Sequence, residues 1–112
     1  MFESGENKMA VVSVLAFITA KPGMRASVLE SFNANVPAVH AEAGCIEYFA
    51  ATDLENAGPI QTPIGADGFV VIEKWESMDH LKAHGASEHM KAYAAKTKEM
   101  LAERVIRVLS AA

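Results

Sequence analysis

A single cysteine, Cys45, is the chain's whole complement of thiols. No internal disulfide can staple such a fold, and a reducing, cytoplasmic setting is expected. Positive charge is also short: 10 Lys and Arg stand against 14 Asp and Glu, a net charge of −4. No basic stripe is available to neutralise phosphates, which excludes a nucleic-acid footprint. No apolar run reaches the roughly 20 residues that cross a bilayer, so no membrane partner is expected. A glycine-rich phosphate loop, a nucleophile elbow and a flavin fingerprint are absent as well. Any catalysis must work with few parts.

What the chain does have is apolar surface to bury. Hydrophobic residues make up 51% of its 112 residues, enough for one real core. Residues 1–8 are polar and aperiodic and read as a loose tail, leaving a single domain over residues 9–112. The stretch MAVVSVLAFITA resembles an export signal, but its flank MFESGENK carries two glutamates against one lysine. Export signals start positive, and the run is rich in the β-branched residues of a buried strand.

The pattern predicts a strand over 10–19, stopped by Lys21-Pro22-Gly23, and then a helix over 24–41. Val28, Phe32, Val36 and Val39 share one face of that helix. Pro37 lies inside it and should kink or divide it. Strands follow at 45–52 and 68–75, separated by a long Pro/Gly-punctuated segment (53–67) of the kind that forms lids or binding loops. Ser77 caps a short helix through His84, and Gly85 interrupts it. Ser87 caps a second helix over 88–103, with Met90, Tyr93, Ala94, Thr97, Met100 and Leu101 as its apolar stripe. A last strand occupies 104–109. The order β-α-β-β-α-β, with its second helix broken in two, is the ferredoxin-like α+β sandwich.

Both faces of these strands read as apolar. Val12, Val14, Ala16 and Ile18 alternate with Val11, Leu15 and Phe17; Phe69 and Val71 alternate with Val70 and Ile72. Strict alternation sets Ile46, Tyr48 and Ala50 against Cys45, Phe49 and Ala51. Helices in this order cover one face only, so a second subunit should cover the other, in a homodimer. Val14 is read as marking that free face.

The candidate chemistry gathers where the third strand runs into a helix, in VVIEKWESMDHLKAH. Phe69, Val71, Glu73 and Trp75 point the same way, and His84 falls at the edge of the buried side of the following helix. On packing alone Trp75 is core and His84 a boundary histidine bonded to a carbonyl. On chemistry they are a flat aromatic wall beside a group that takes a proton near neutral pH. Glu73 is either a salt-bridge partner or a carboxylate that orients the imidazole. Tyr48 and Tyr93 can bring hydroxyls to a cleft rim. His89, in the first turn of the last helix, either reaches the same cleft or stays an exposed cap. His80 and His84 have the spacing of two metal ligands but lack a third, and His80 reads as solvated; no metal site is expected. His40 suits a helix C-terminus, Glu47 a sheet edge, and Cys45 a small core residue.

Gly44-Cys45 with Tyr48, then FVVIEKWES, HLKAH, EHMKAYAAKTKEM and a final IRVL, resemble the antibiotic biosynthesis monooxygenase family. Within it the likeness is to the bacterial quinol monooxygenases, over residues 10–109. The resemblance implies a dimeric α+β barrel, a pocket between helices and sheet in each subunit, and oxygenation of a small aromatic quinol by dioxygen with no cofactor. It places Trp75 and His84 in the pocket motif and Glu73 as its strand carboxylate. On this reading His84 and Glu73 are catalytic, and Trp75, Phe69, Tyr48, Tyr93 and His89 line the substrate site. Two positions depart from relatives. Haem-degrading members carry an asparagine where Ala16 stands, which disfavours haem cleavage, and polyketide oxygenases carry one where Val71 stands, so their hydrogen-bonding scheme does not transfer. Two alternatives stay open: an enzyme of the same fold acting on a small carbonyl signal molecule, and a non-catalytic dimer that binds aromatics.

Overall fold

Every second residue from Val12 to Ala20 is buried, and this alternation fixes the sheet's inner face. The computed structural model describes residues 10–112, so the expected tail lies outside the described residues. The element order is β1 (Val12–Ala20), α1 (Arg25–His40), β2 (Cys45–Ala51), β3 (Gly68–Trp75), α2 (Met78–Gly85), α3 (Glu88–Thr97), a 3₁₀ turn (Lys98–Met100) and β4 (Leu101–Leu109). The four strands form one antiparallel sheet in the order β2-β3-β1-β4, the ferredoxin-like arrangement.

The pairing register sorts the side chains. Tyr48, Glu73, Val14 and Val108 form one inner row, and Ala50, Val71, Ala16 and Ile106 the next. Val28, Phe32 and Val39 of α1 pack onto this face, with the Phe32 ring stacked on Tyr48 at 5.0 Å between centroids. Val14 therefore faces the helices, not the free side as expected. The free face carries Phe49, Ile72 and Leu15 in one row, then Ala51, Val70, Phe17 and Val105 in the next. Phe17, Phe49 and Val105 are all exposed there.

Three local expectations change. A β-bulge at Ile46 puts two residues opposite one, so Cys45 lands opposite Trp75 on the inner face with Tyr48. Strict alternation had placed Cys45 and Tyr48 on opposite faces. Helix α1 continues through Pro37 without dividing; the proline forgoes only its own N–H, and its carbonyl still accepts from the Ala41 N–H at 3.2 Å. Finally, α3 stops at Thr97 rather than 103. The Thr97 hydroxyl donates to the Tyr93 carbonyl at 2.9 Å, and Lys21 N–H takes the Met100 carbonyl at 2.8 Å. Leu101 already pairs with Ala20, so the helical stripe loses its last turn to the sheet.

The long segment 53–67 is folded around one side chain. Asp53 accepts from the backbone N–H groups of Ile64 and Gly65 at 2.8 and 3.0 Å. Those two bonds hold its carboxyl below the usual carboxylate range. Arg25, at the start of α1, donates to the carbonyls of Gly65 and Gly68. The segment is thus tied to the turn after β1.

Candidate active site

Strand alternation delivers Phe69, Glu73 and Trp75 to the inner face, and Trp75 and Phe69 are fully buried there. The Trp75 indole N–H donates to Glu73 Oε1 at 2.9 Å, along the same face of the same strand. Ser77 then starts α2 by accepting the His80 N–H. His84 arrives near the end of that helix, only 4% exposed. Its ring lies 4.6 Å from the Trp75 ring and 5.4 Å from Tyr48, centroid to centroid.

The carboxylate bonded to His84 is not Glu73. His84 Nδ1–H donates to Glu42 Oε2 at 2.9 Å, and His89 Nε2–H donates to the same oxygen at 2.6 Å. Glu42 lies in the turn between α1 and β2, and that turn is pinned against α2. Gly44 there has φ +81, and a Cβ on it would overlap the His80 ring. The His80 Nδ1 bonds the Ser77 hydroxyl at 2.7 Å. His80 is therefore half-buried and structural, where the sequence reading left it in solvent. His40 bonds through Nε2 to the Tyr48 carbonyl, which ties the end of α1 to β2.

These residues border a cavity of about 700 Å³ between helices and sheet. Tyr48, Glu73 and His84 form its polar corner, and Tyr93 and Met90 of α3 form its roof. Val14, Ala16 and Ile18, with Ile106 and Val108 of β4, form its apolar floor. Trp75 and Phe69 do not line it: Trp75 backs His84, and Phe69 packs edge-on against Phe32. His89 lies outside the cavity and joins it only through Glu42. No residue of 53–67 borders the cavity, so within one subunit that segment is not its lid.

The tautomer of His84 follows from its partner. A carboxylate can only accept, so the Nδ1 proton sits on the Glu42 side and Nε2 is left with a lone pair. Among the described residues Nε2 has no hydrogen-bond partner, yet no buried side-chain nitrogen or oxygen is unsatisfied. Nε2 therefore faces open space in the cavity that His84 lines. Burial raises the Glu73 carboxyl above the usual range, a shift that the Trp75 N–H and the His84 charge oppose. Burial also pushes the Tyr93 phenol up to about 12 and raises that of Tyr48 further. The Cys45 thiol is raised by burial and by the carboxylates of Glu42 and Glu73, which makes it a poor nucleophile.

Glu42, His84 and His89 place one nitrogen or oxygen atom each within 4.8 Å of one another. Metal bonds of about 2.0–2.2 Å spread their ligand atoms to about 3 Å or more apart. The 2.9 and 2.6 Å contacts here are shorter, and they are hydrogen bonds. Sequence reading missed Glu42 because it stands in an ordinary polar turn, 42 residues from His84. Only the left-handed Gly44 two residues later hints that something packs closely there.

The comparisons agree with this fold. The crystal structure of PA3566 from Pseudomonas aeruginosa superposes with a TM-score of 0.76 at 25% identity, covering 94% of this chain and 97% of that one. Rv0793 from Mycobacterium tuberculosis shares the fold with a TM-score of 0.75 at 23% identity, over 92% and 96% of the two chains. In sequence the chain is 40% identical over 101 residues to a protein of Escherichia coli K12 named "Probable quinol monooxygenase YgiN", covering 88% of this chain and 96% of that protein. The family model described as antibiotic biosynthesis monooxygenase matches residues 11–96, which span the cavity-lining strands β1 to β3 and the His84 corner. The chain belongs to the antibiotic biosynthesis monooxygenase family.

Proposed function

We propose that the protein oxidises a quinol or a related hydroxylated aromatic with dioxygen, using its own side chains in place of a cofactor. The observation that supports this most is His84, whose Nε2 lone pair faces an apolar cavity while Nδ1–H is held by Glu42. A deprotonated quinol is electron-rich enough to reduce dioxygen directly. The protein has to take the phenolic proton, hold the ring and keep water away. His84 takes the proton at Nε2. Val14, Ala16, Ile18 and Val108 offer the ring an apolar floor, and Tyr48 and Tyr93 bring hydroxyls to its edge. Trp75 and Phe69 act from behind this wall by fixing His84 and Phe32. Glu73 fixes the indole of Trp75 rather than the imidazole. The reaction balances: a quinol with an open ring carbon plus dioxygen gives a hydroxyquinone and water. A relative named for quinol oxidation supports the substrate class.

The test uses menadiol under ¹⁸O₂. One labelled oxygen in the ring product supports the reading. Turnover that persists without oxygen would instead place the chemistry with carbonyl isomerisation or degradation on the same scaffold, and unlabelled menadione formed with hydrogen peroxide would mean two-electron oxidation without oxygen insertion.

A homodimer is part of this proposal. Phe17, Phe49 and Val105 are exposed together on the uncovered face, in rows continued by Leu15, Val70 and Ile72. Burying such a patch contributes roughly 25 cal/mol per Å², and soluble monomers rarely leave one open. Sedimentation should show a dimer at micromolar concentration, and Phe17→Asp should shift the chain to aggregate or unfolded material. A soluble, folded wild-type monomer would remove this part of the account.

A further inference from the structure

One oxygen atom, Oε2 of Glu42, accepts from two imidazoles of unlike surroundings. The His84 side chain is 6% exposed and borders the cavity; that of His89 is 29% exposed and borders solvent. The Glu42 side chain between them is 13% exposed. We propose that Glu42 is a shared counter-ion, so that proton uptake by His84 from the cavity is coupled to proton release from His89 to water. The proposal rests on the reading of His84 as the base and extends it to the proton's way out.

The physical reason is that a single carboxylate can balance one imidazolium. Two imidazolium charges on the same oxygen, with their contacting atoms within 4.8 Å, repel one another. Take the state in which His89 carries the second proton and His84 is neutral, with Nδ1–H on Glu42. A phenolic proton then moves to His84 Nε2, which makes that ring the cation. His89 responds by losing its Nδ1 proton to water while keeping Nε2–H on Glu42. One proton enters, one leaves, and Glu42 remains a carboxylate throughout. Reversing the order returns a proton to the reduced oxygen when water forms.

Other groups around His84 do not duplicate this path. Glu73, on β3, is engaged by the Trp75 N–H. Tyr48 and Cys45 on β2 and Tyr93 on α3 are acids whose burial keeps them protonated. Lys98 and Arg104 border the same cavity as permanent cations. On α2 itself, His80 is bonded to Ser77. The Ser87 hydroxyl donates to the His84 carbonyl at 2.8 Å and accepts from His89 Nε2 at 3.2 Å, which holds the second ring in place.

The decisive test needs no substrate: ¹⁵N NMR titration of the histidine rings in full-length protein. His89→Gln keeps an N–H donor for Glu42 but cannot become cationic, so His84 should titrate about one pH unit higher than in the wild type. Glu42→Gln removes the counter-ion, and His84 should titrate about one unit lower. Two results would overturn the proposal. One is a His84 titration unmoved by His89→Gln. The other is ring signals of untreated protein that change on addition of a chelator, which would mean that the three side chains hold a metal. Failure of quinol oxidation with this coupling intact would instead count against the function proposed above and leave the coupling standing. With turnover in hand, the acid limb of kcat/KM should move in the same two directions, a shift that a merely structural role would not produce.

Discussion

Two carboxylates meet at the His84 corner and do different work. Glu73 is on a strand, buried, and spends its hydrogen bond on the Trp75 indole. Glu42 is on a turn, less deeply buried, and spends both of its bonds on imidazoles. The first shapes the wall behind the His84 imidazole; the second sets which of its nitrogens faces the cavity. Position in an apolar strand made Glu73 conspicuous, while the bonding pattern singles out Glu42. A charge that stands out in sequence is not thereby the charge that bonds the cavity's imidazole.

Substitutions can separate the two roles. The largest effect is expected at the base: His84→Ala should lower kcat/KM for quinol oxidation by about 10²–10⁴-fold, read from steady-state rates against the uncatalysed background. Trp75→Phe comes next, and its effect is on stability. It removes the donor from Glu73 and should cost about 1–3 kcal/mol in urea unfolding. Glu42→Gln keeps a hydrogen-bonding side chain without the charge, and a loss of about 1.4 kcal/mol of charge-assisted bonding corresponds to about tenfold in kcat/KM. An equal loss with Glu73→Gln would erase the distinction between the two carboxylates.

The smallest effect is a pH dependence at Glu73. Burial raises this carboxyl, so its contribution to stability is present while it is protonated, below the ordinary carboxylate range, and is lost as pH rises through its raised value. Glu73→Gln keeps the acceptor for Trp75 with no charge to desolvate. Its Tm should exceed the wild-type value at about pH 8, and the gap should close near pH 4. A gap that widens toward acid would show that the Trp75 and His84 interactions outweigh burial.

Much of the frame was legible because it rests on periodicity. The two faces of β1 and β3, the α1 stripe and the Ser77 cap follow from spacing and local chemistry, although alternation alone did not say which face of β1 the helices cover. Where the sequence misled, a tertiary contact had overridden the local pattern. The bulge at Ile46 is set by pairing with β3, and the early end of α3 by pairing of Leu101 with Ala20. The site divides the same way. His84, Glu73, Tyr48 and Tyr93 reach the cavity because they lie on the inward faces of regular elements. Glu42 reaches His84 because a glycine turn lets His80 pack closely, which no spacing rule encodes.

The measurement closest to the central claim is oxygen consumption by chelator-treated protein supplied with menadiol and related quinols. The account predicts uptake well above autoxidation by the wild type, and uptake near the autoxidation rate by His84→Ala at matched concentration. No uptake above autoxidation by the wild type with any of these quinols would contradict it.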